Sequence, residues 1–199
     1  MTRMTLLALI AGVLAFGITD AAAAAEARTP AVYGGETIDL ADGDWHGARV
    51  CVVHDRDTIE CFATEAHAAA AVDGYDPDHR QTTRDSQEES TSFDEDVAAS
   101  GDSACYWDDT RFLYLYSDPG YAGTVLALNQ TGQWDNLADF GFDNRTSSYA
   151  NQTDCGGLLA DGTGGANRTL TAHSAMSALG SWDNRISSVC LAVPPGGSC

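Results

Sequence analysis

The residues best suited to chemistry in this 199-residue chain come in two copies. FDNRTSSY at 142–149 and SWDNRISSV at 181–189 share the core Asp-Asn-Arg-x-Ser-Ser, each copy directly after an aromatic residue, Phe142 or Trp182. Asp, Asn and Ser supply hard oxygen donors, and a tight turn adds backbone carbonyls beside them. Ca²⁺ takes about six to eight such oxygens, and the set contains no sulfur or imidazole to favour a transition metal. A single copy would read as a turn, because Asp-Asn is common turn chemistry. A turn needs only one or two of these identities, however, and both copies keep Asp, Asn, Ser and Ser. The Ser pair opens a strand each time, so a sheet holds its hydroxyls in place. The motif is therefore read as half of a calcium site, repeated within a duplicated β-unit.

Other chemistries lack their residues. The chain has no Gly-x-Ser-x-Gly, no His-Glu-x-x-His and no Lys, so a nucleophile elbow, a zincin helix and a Walker lysine are all missing. His46, His54, His67 and His79 precede the duplicated unit, and His173 stands alone in TLTAHSA. The stretch beginning DPDHR places Arg80 at the fifth position of a would-be EF-hand loop, where a calcium ligand is required, so that reading fails. The chain is expected not to be an enzyme. Its formal net charge of −19 leaves no basic surface to displace counterions from nucleic acid, and it disfavours anionic membranes.

The elements that must position the repeat fall into four stretches. Residues 1–27 hold Arg3, the apolar run LLALIAGVLAFGI and small Ala-x-Ala triplets, and are expected to be a cleaved signal peptide. The mature protein is then secreted, to the extracellular space or the cell envelope, with no membrane insertion. Residues 28–70 contain ARVCVV and TIECFAT around the polar turn HDRD, which reads as a hairpin with Cys51 opposite Cys61 and a disulfide between them. With one hairpin, this segment is expected to be a small appendage. Residues 71–104 are polar and acidic and are expected to form a disordered linker. Residues 105–199 carry RFLYLYS, TVLALN, TSSYANQ and ISSVCLAV, short strands with regular turn signals that predict an all-β sandwich. The six cysteines, Cys51, Cys61, Cys105, Cys155, Cys190 and Cys199, fit disulfides in an exported chain. Proximity suggests Cys105–Cys155 and Cys190–Cys199.

On these residues the stretch from about 105 to 193 resembles a βγ-crystallin domain of the microbial calcium-binding type. The family's motif, [N/D]-[N/D]-x-x-[S/T]-S once per Greek key, is matched by both copies. Its aromatic corner, aromatic-x₄-aromatic-x-Gly, is matched by Tyr116, Tyr121 and Gly123. The second half departs: LLADGTGGAN has no aromatic pair. The resemblance implies two Greek-key motifs packed as a sandwich, in which each ion is clamped by both motifs and a hairpin-loop carbonyl. Carried over by position, the ligand candidates are Asp143, Asn144 and Ser147 with Asp183, Asn184 and Ser187. The carbonyls of Arg145 and Arg185 join them, with Ser117 and Ala160 as loop-carbonyl candidates. The two arginine side chains are expected to point to solvent or to a carboxylate.

The signal, the Cys-bearing hairpin and the crystallin-like unit together also resemble exported actinobacterial proteins of peptidase inhibitor family I36. That likeness implies a secreted proteinase as an alternative partner, met by an exposed loop such as DGTGGAN or PPGGSC. On the first reading calcium ions are the partners of a monomer. The two readings separate by whether the protein blocks a metalloproteinase.

Overall fold

Strict alternation in RFLYLYS sets the architecture, because successive side chains of a strand point to opposite faces. In the computed structural model, which describes residues 29–55, 58–78, 111–129, 132–162 and 166–191, this stretch forms strand β5 (Leu113–Asp118). Leu113 and Leu115 enter one buried cluster and Tyr114 and Tyr116 enter another, so β5 is covered on both faces.

Among the described residues β5 belongs to an eight-stranded sheet. The other strands are β1 (Pro30–Tyr33), β2 (Glu36–Asp39), β3 (Val50–Asp55), β4 (Thr58–Phe62), β6 (Ala122–Leu128), β8 (Ser148–Asn151) and β11 (Ala175–Met176), in spatial order β11-β8-β5-β6-β3-β4-β1-β2. A second sheet is ordered β10-β9-β12-β7, from β7 (Trp134–Asn136), β9 (Gly157–Ala160), β10 (Asn167–Leu170) and β12 (Ser188–Leu191). The fold is all-β in class, with one short α-helix among the described residues, α1 (Glu65–Ala71).

Two Greek keys account for strands β5 to β12. In the first, β8, β5 and β6 lie side by side and the third strand, β7, crosses to the other sheet. In the second, β12, β9 and β10 lie side by side and the third strand, β11, crosses back. Each half therefore lends a strand to the sheet of the other. Leu113, Leu115, Leu126 and Leu128 of the larger sheet share a cluster with Leu159, Leu170, Val189 and Leu191 of the smaller one.

The N-terminal segment is larger than the single hairpin expected for 28–70. It contributes four strands and α1, and β3 pairs in parallel with β6, with Cys51 beside Leu126. Trp45, Leu40, Cys51 and Val53 enter the same cluster as the leucines of β5 and β6. Cys51 and Cys61 are register partners across β3 and β4 and form the expected disulfide, with Cα atoms 4.1 Å apart. The strands reach Asp55 and resume at Thr58, so HDRD contributes to the pairing as well as to the turn.

The packed chain also continues past residue 70. Val72 and Tyr75 are buried on the outer face of the larger sheet. The Tyr75 ring meets Tyr114 edge-on at 5.3 Å, and the Asp76 amide donates to the Tyr114 hydroxyl at 3.1 Å. Two apolar side chains three residues apart suffice to pin this acidic stretch, because α1 and the tyrosines of β5 give them a surface to bury against. Val72 and Tyr75 thus anchor the start of the expected linker on the sheet, and its residues 79–104 lie outside the described residues. So does the expected signal peptide. Cys155 and Cys190 are disulfide-bonded, while Cys105 and Cys199, their expected partners, lie outside the described residues.

Candidate functional site

The two Asp-Asn-Arg-x-Ser-Ser turns face each other and exchange hydrogen bonds as a pseudo-twofold pair. The Asn144 amide donates to the Ile186 carbonyl at 3.0 Å, and the Asn184 amide donates to the Thr146 carbonyl at 3.0 Å. The Ser147 hydroxyl reaches Asn184 Oδ1 at 3.5 Å, and the Ser187 hydroxyl reaches Asn144 Oδ1 at 3.2 Å. The pairing is therefore crossed, each serine meeting the asparagine of the other motif. Asn144 and Asn184 both have φ of +54°, the left-handed conformation that Asn tolerates best among residues with a side chain. This explains why the same residue type recurs at both positions.

The strands fix this geometry. The Ser147 amide donates to the Tyr116 carbonyl and the Ser187 amide to the Ala160 carbonyl, both at 2.8 Å, so each motif is tied to the hairpin of its own half. The last serine of the first motif does different work: the buried Ser148 hydroxyl donates to the Asp118 carbonyl at 2.7 Å and accepts from the Tyr121 amide at 3.1 Å. It holds the corner in which Tyr116 and Tyr121 meet edge-on at 5.8 Å. Gly123 is required there, at φ +84°, because a Cβ would lie 2.2 Å from Ser117 Oγ and 2.6 Å from Asp118 Oδ2.

The two loop-carbonyl candidates are not equivalents. The amide bonds of Ser147 and Ser187 match Tyr116 with Ala160, which places Ser117 opposite Asp161. Asp161 went unnoticed in the sequence, where only aligning the halves on their Ser-Ser strands would have brought it out. Its carboxylate accepts from Arg185 Nε at 2.9 Å and from the same guanidinium's terminal nitrogen. Arg185 thus meets a carboxylate, as expected. Arg145 instead folds back, with its guanidinium carbon 5.4 Å from the Phe142 ring centre and one nitrogen donating to the Gly141 carbonyl at 2.9 Å. Arg185 does likewise over Trp182, at 5.9 Å. The aromatic residue ahead of each Asp-Asn is thereby a shelf for the motif's own arginine.

Every side chain offered by the crossed turns is an oxygen donor: Asp143, Asn144 and Ser187 on one side, Asp183, Asn184 and Ser147 on the other. Asp143, Asn144, Asp183 and Asn184 are exposed, while Ser147 is buried. Among the described residues no group of three or more His, Cys, Asp and Glu side chains gathers as a metal cluster. A cation here would be held by a few carboxylate oxygens completed by neutral amide, hydroxyl and carbonyl oxygens, a set suited to calcium and poorly suited to zinc or copper. A groove lies against one side, lined by Trp134, Asn136, Asp143, Ala160, Gly162 and Ser187 among others. His173, expected to stand alone, instead contacts Asp154 at 2.6 Å, and Asp154 also pairs with Arg111. This cluster lies apart from the turns in the sequence.

No family model and no curated protein matches the chain. Solved structures similar to it are a βγ-crystallin from Ciona intestinalis, 25% identical over 40% of this chain and 98% of that one, with a TM-score of 0.35; the N-terminal domain of protein S, 22% identical over 42% and 99%, with a TM-score of 0.36; and a βγ-crystallin domain from Flavobacterium johnsoniae, 22% identical over 43% and 98%, with a TM-score of 0.33. These TM-scores are too low to carry weight, so the all-β fold rests on the strand pairings themselves.

Proposed function

We propose that this is an exported, non-enzymatic protein of the βγ-crystallin type whose two crossed turns bind calcium and whose β-sandwich is stabilised by the ion. The observation that carries the reading is the reciprocal pairing of Ser147 with Asn184 and Ser187 with Asn144. Two purely structural turns need no such symmetry of oxygen donors. On this reading Ser147 and Asn184 serve one ion together with Asp183, and Ser187 and Asn144 serve the other together with Asp143. The carbonyls of Arg185 and Arg145 are available to each in turn, with a hairpin carbonyl on either side. When bound, calcium supplies positive charge between two loops that each bring an exposed carboxylate.

Calcium that binds the folded chain and not the unfolded one stabilises it by mass action, by about 2.7 kcal/mol per site at a hundredfold excess over Kd. Asp183→Ala tests the ligand set. It should lose most of the calcium-dependent rise in melting temperature, while its melting temperature in chelator stays near that of the parent. An undiminished calcium response in this variant would remove Asp183 from the site.

A further inference from the structure

The two turns are near-copies in sequence but stand in different surroundings. Phe142, directly ahead of Asp143, is fully buried beneath Trp45 of the N-terminal segment, the rings stacked at 5.6 Å and 27°. Trp45 Nε1 donates to the Phe140 carbonyl at 2.9 Å, a buried hydrogen bond that joins residues 95 apart in the chain. Between them, Gly141 is pressed against the turn at Leu40–Asp42: a Cβ on it would lie 2.3 Å from the Leu40 carbonyl oxygen and 2.6 Å from Gly43 Cα. Only a residue without a side chain lets the two backbones approach so closely.

The second turn supplies the internal comparison. Ser181 stands where the first copy has Gly141, and each offers its carbonyl to the motif's arginine, at 3.3 Å and 2.9 Å. Trp182 is half-buried where Phe142 is fully buried, and a Cβ on neighbouring Gly180 would meet nothing within 4 Å. The halves differ within the repeat at Asp161, which pairs with Arg185, and residues 40–45 add a packing partner to the first turn.

We propose that residues 40–45, through Trp45, act as a built-in brace that fixes the Asp143–Asn144 turn before any ion arrives, whereas the Asp183–Asn184 turn is held by its own half, through Arg185 and Asp161, and by the crossed bonds the two turns share. Trp45 touches no ligand oxygen; it is a positioning residue. Its consequence for ions rests on the calcium reading: the site of Asp143, Asn144 and Ser187 is preorganised and binds more tightly than the site of Asp183, Asn184 and Ser147.

The brace is testable without calcium. In the chelator-treated native chain, amide exchange followed by NMR should be about tenfold slower for Asn144 than for Asn184, although both amides make equivalent 3.0 Å bonds. Trp45→Ala should erase most of this difference and leave Asn184 unchanged. Trp45→Phe keeps a ring over Phe142 and loses only the donation to Phe140, so it should fall between the two and carries the test should the alanine variant not fold. Equal exchange at Asn144 and Asn184 in the native chain, or a difference that survives in both variants, would overturn the brace. Calorimetric titration of the same proteins should give two unequal calcium sites, with Trp45→Ala weakening the tighter one severalfold and sparing the weaker. Two sites equal in the native chain would overturn the brace, whereas no binding at all would overturn the calcium reading and leave the exchange result to decide the brace by itself.

Discussion

A matched pair of glycine substitutions measures how firmly the N-terminal segment sits against the first turn. Gly141 and Gly180 have nearly the same backbone, at φ +60° and +61°, and each lies shortly before an Asp-Asn-Arg motif. Alanine at either position places a Cβ in the left-handed region, at a cost of roughly 1–2 kcal/mol. Loss of unfolded-state freedom offsets about 0.4–1 kcal/mol of this. At Gly180, where the Cβ meets open space, the net loss should be about 0.5–1 kcal/mol. At Gly141 the Cβ overlaps backbone atoms of Leu40 and Gly43, which no rotamer change relieves. Overpacking of that kind adds roughly 1–3 kcal/mol, for a total of about 2–4 kcal/mol. At ~2–4 °C per kcal/mol for a chain of this size, Gly141→Ala should melt about 4–16 °C below the parent and Gly180→Ala about 1–4 °C below it. Thermal unfolding followed by circular dichroism in chelator reads both. Equal shifts would mean that residues 40–43 do not press on Gly141 in solution, and the packing described here would be refuted.

Three further predictions follow from the same geometry. Replacing Cys51 and Cys61 together by Ala opens a ten-residue separation and should cost about 2–3 kcal/mol in denaturant unfolding, more than any exposed substitution on β1 or β2; a loss under about 0.5 kcal/mol would show that the strand ladder alone sets the stability. Burial raises the pKa of the Tyr114 and Tyr149 hydroxyls above the usual tyrosine range, although the Asp76 amide works against this at Tyr114 and Ser174 does so at Tyr149. The folded form therefore prefers neutral tyrosine: its full contribution is present below the unfolded value of about 10 and is lost as pH rises past it, so stability should fall steeply above pH ~10, less steeply in Tyr114→Phe, and a flat profile to pH ~11.5 would contradict the burial. Lastly, if the donors are crossed, Ser187→Ala and Asn144→Ala should weaken the same ion and combine less than additively in a double-mutant cycle, whereas Ser187→Ala and Asn184→Ala should add within about 0.5 kcal/mol.

How much of this was legible in the sequence depends on how local each cause is. The alternation in RFLYLYS declares two faces within seven residues, and β5 has both. The Cys51–Cys61 pairing follows from one hairpin and one register. The repeated Asp-Asn-Arg-x-Ser-Ser marks the two turns because a left-handed Asn and a strand-opening Ser are local demands. The crossing of serines with asparagines is not local: it comes from two strands changing sheets, which no residue near the motifs announces. The parallel pairing of β3 with β6 carries no turn signal, since parallel strands need no hairpin, and so the N-terminal segment read as an appendage. Helix α1 was hidden in EAHAAAA, where Ala content gave helix propensity but no amphipathic period; Thr64 caps it by accepting from the His67 amide. Trp45 sits in ADGDWHG with no apolar neighbour in sequence, and its partners Phe140 and Phe142 are nearly a hundred residues away. Val72 and Tyr75 were outvoted by the acidic residues around them, although two buried side chains were enough to hold the chain to the sheet.

The central claim is that the crossed turns bind calcium, and calorimetric titration of the chelator-stripped chain from residue 28 tests it most directly, read beside the melting temperature with and without the ion. Two bound ions and a melting temperature raised by several degrees, about 2–4 °C per kcal/mol of binding, are the predicted result. No heat of binding and no shift at millimolar calcium would contradict the account and leave the paired motifs as structural turns.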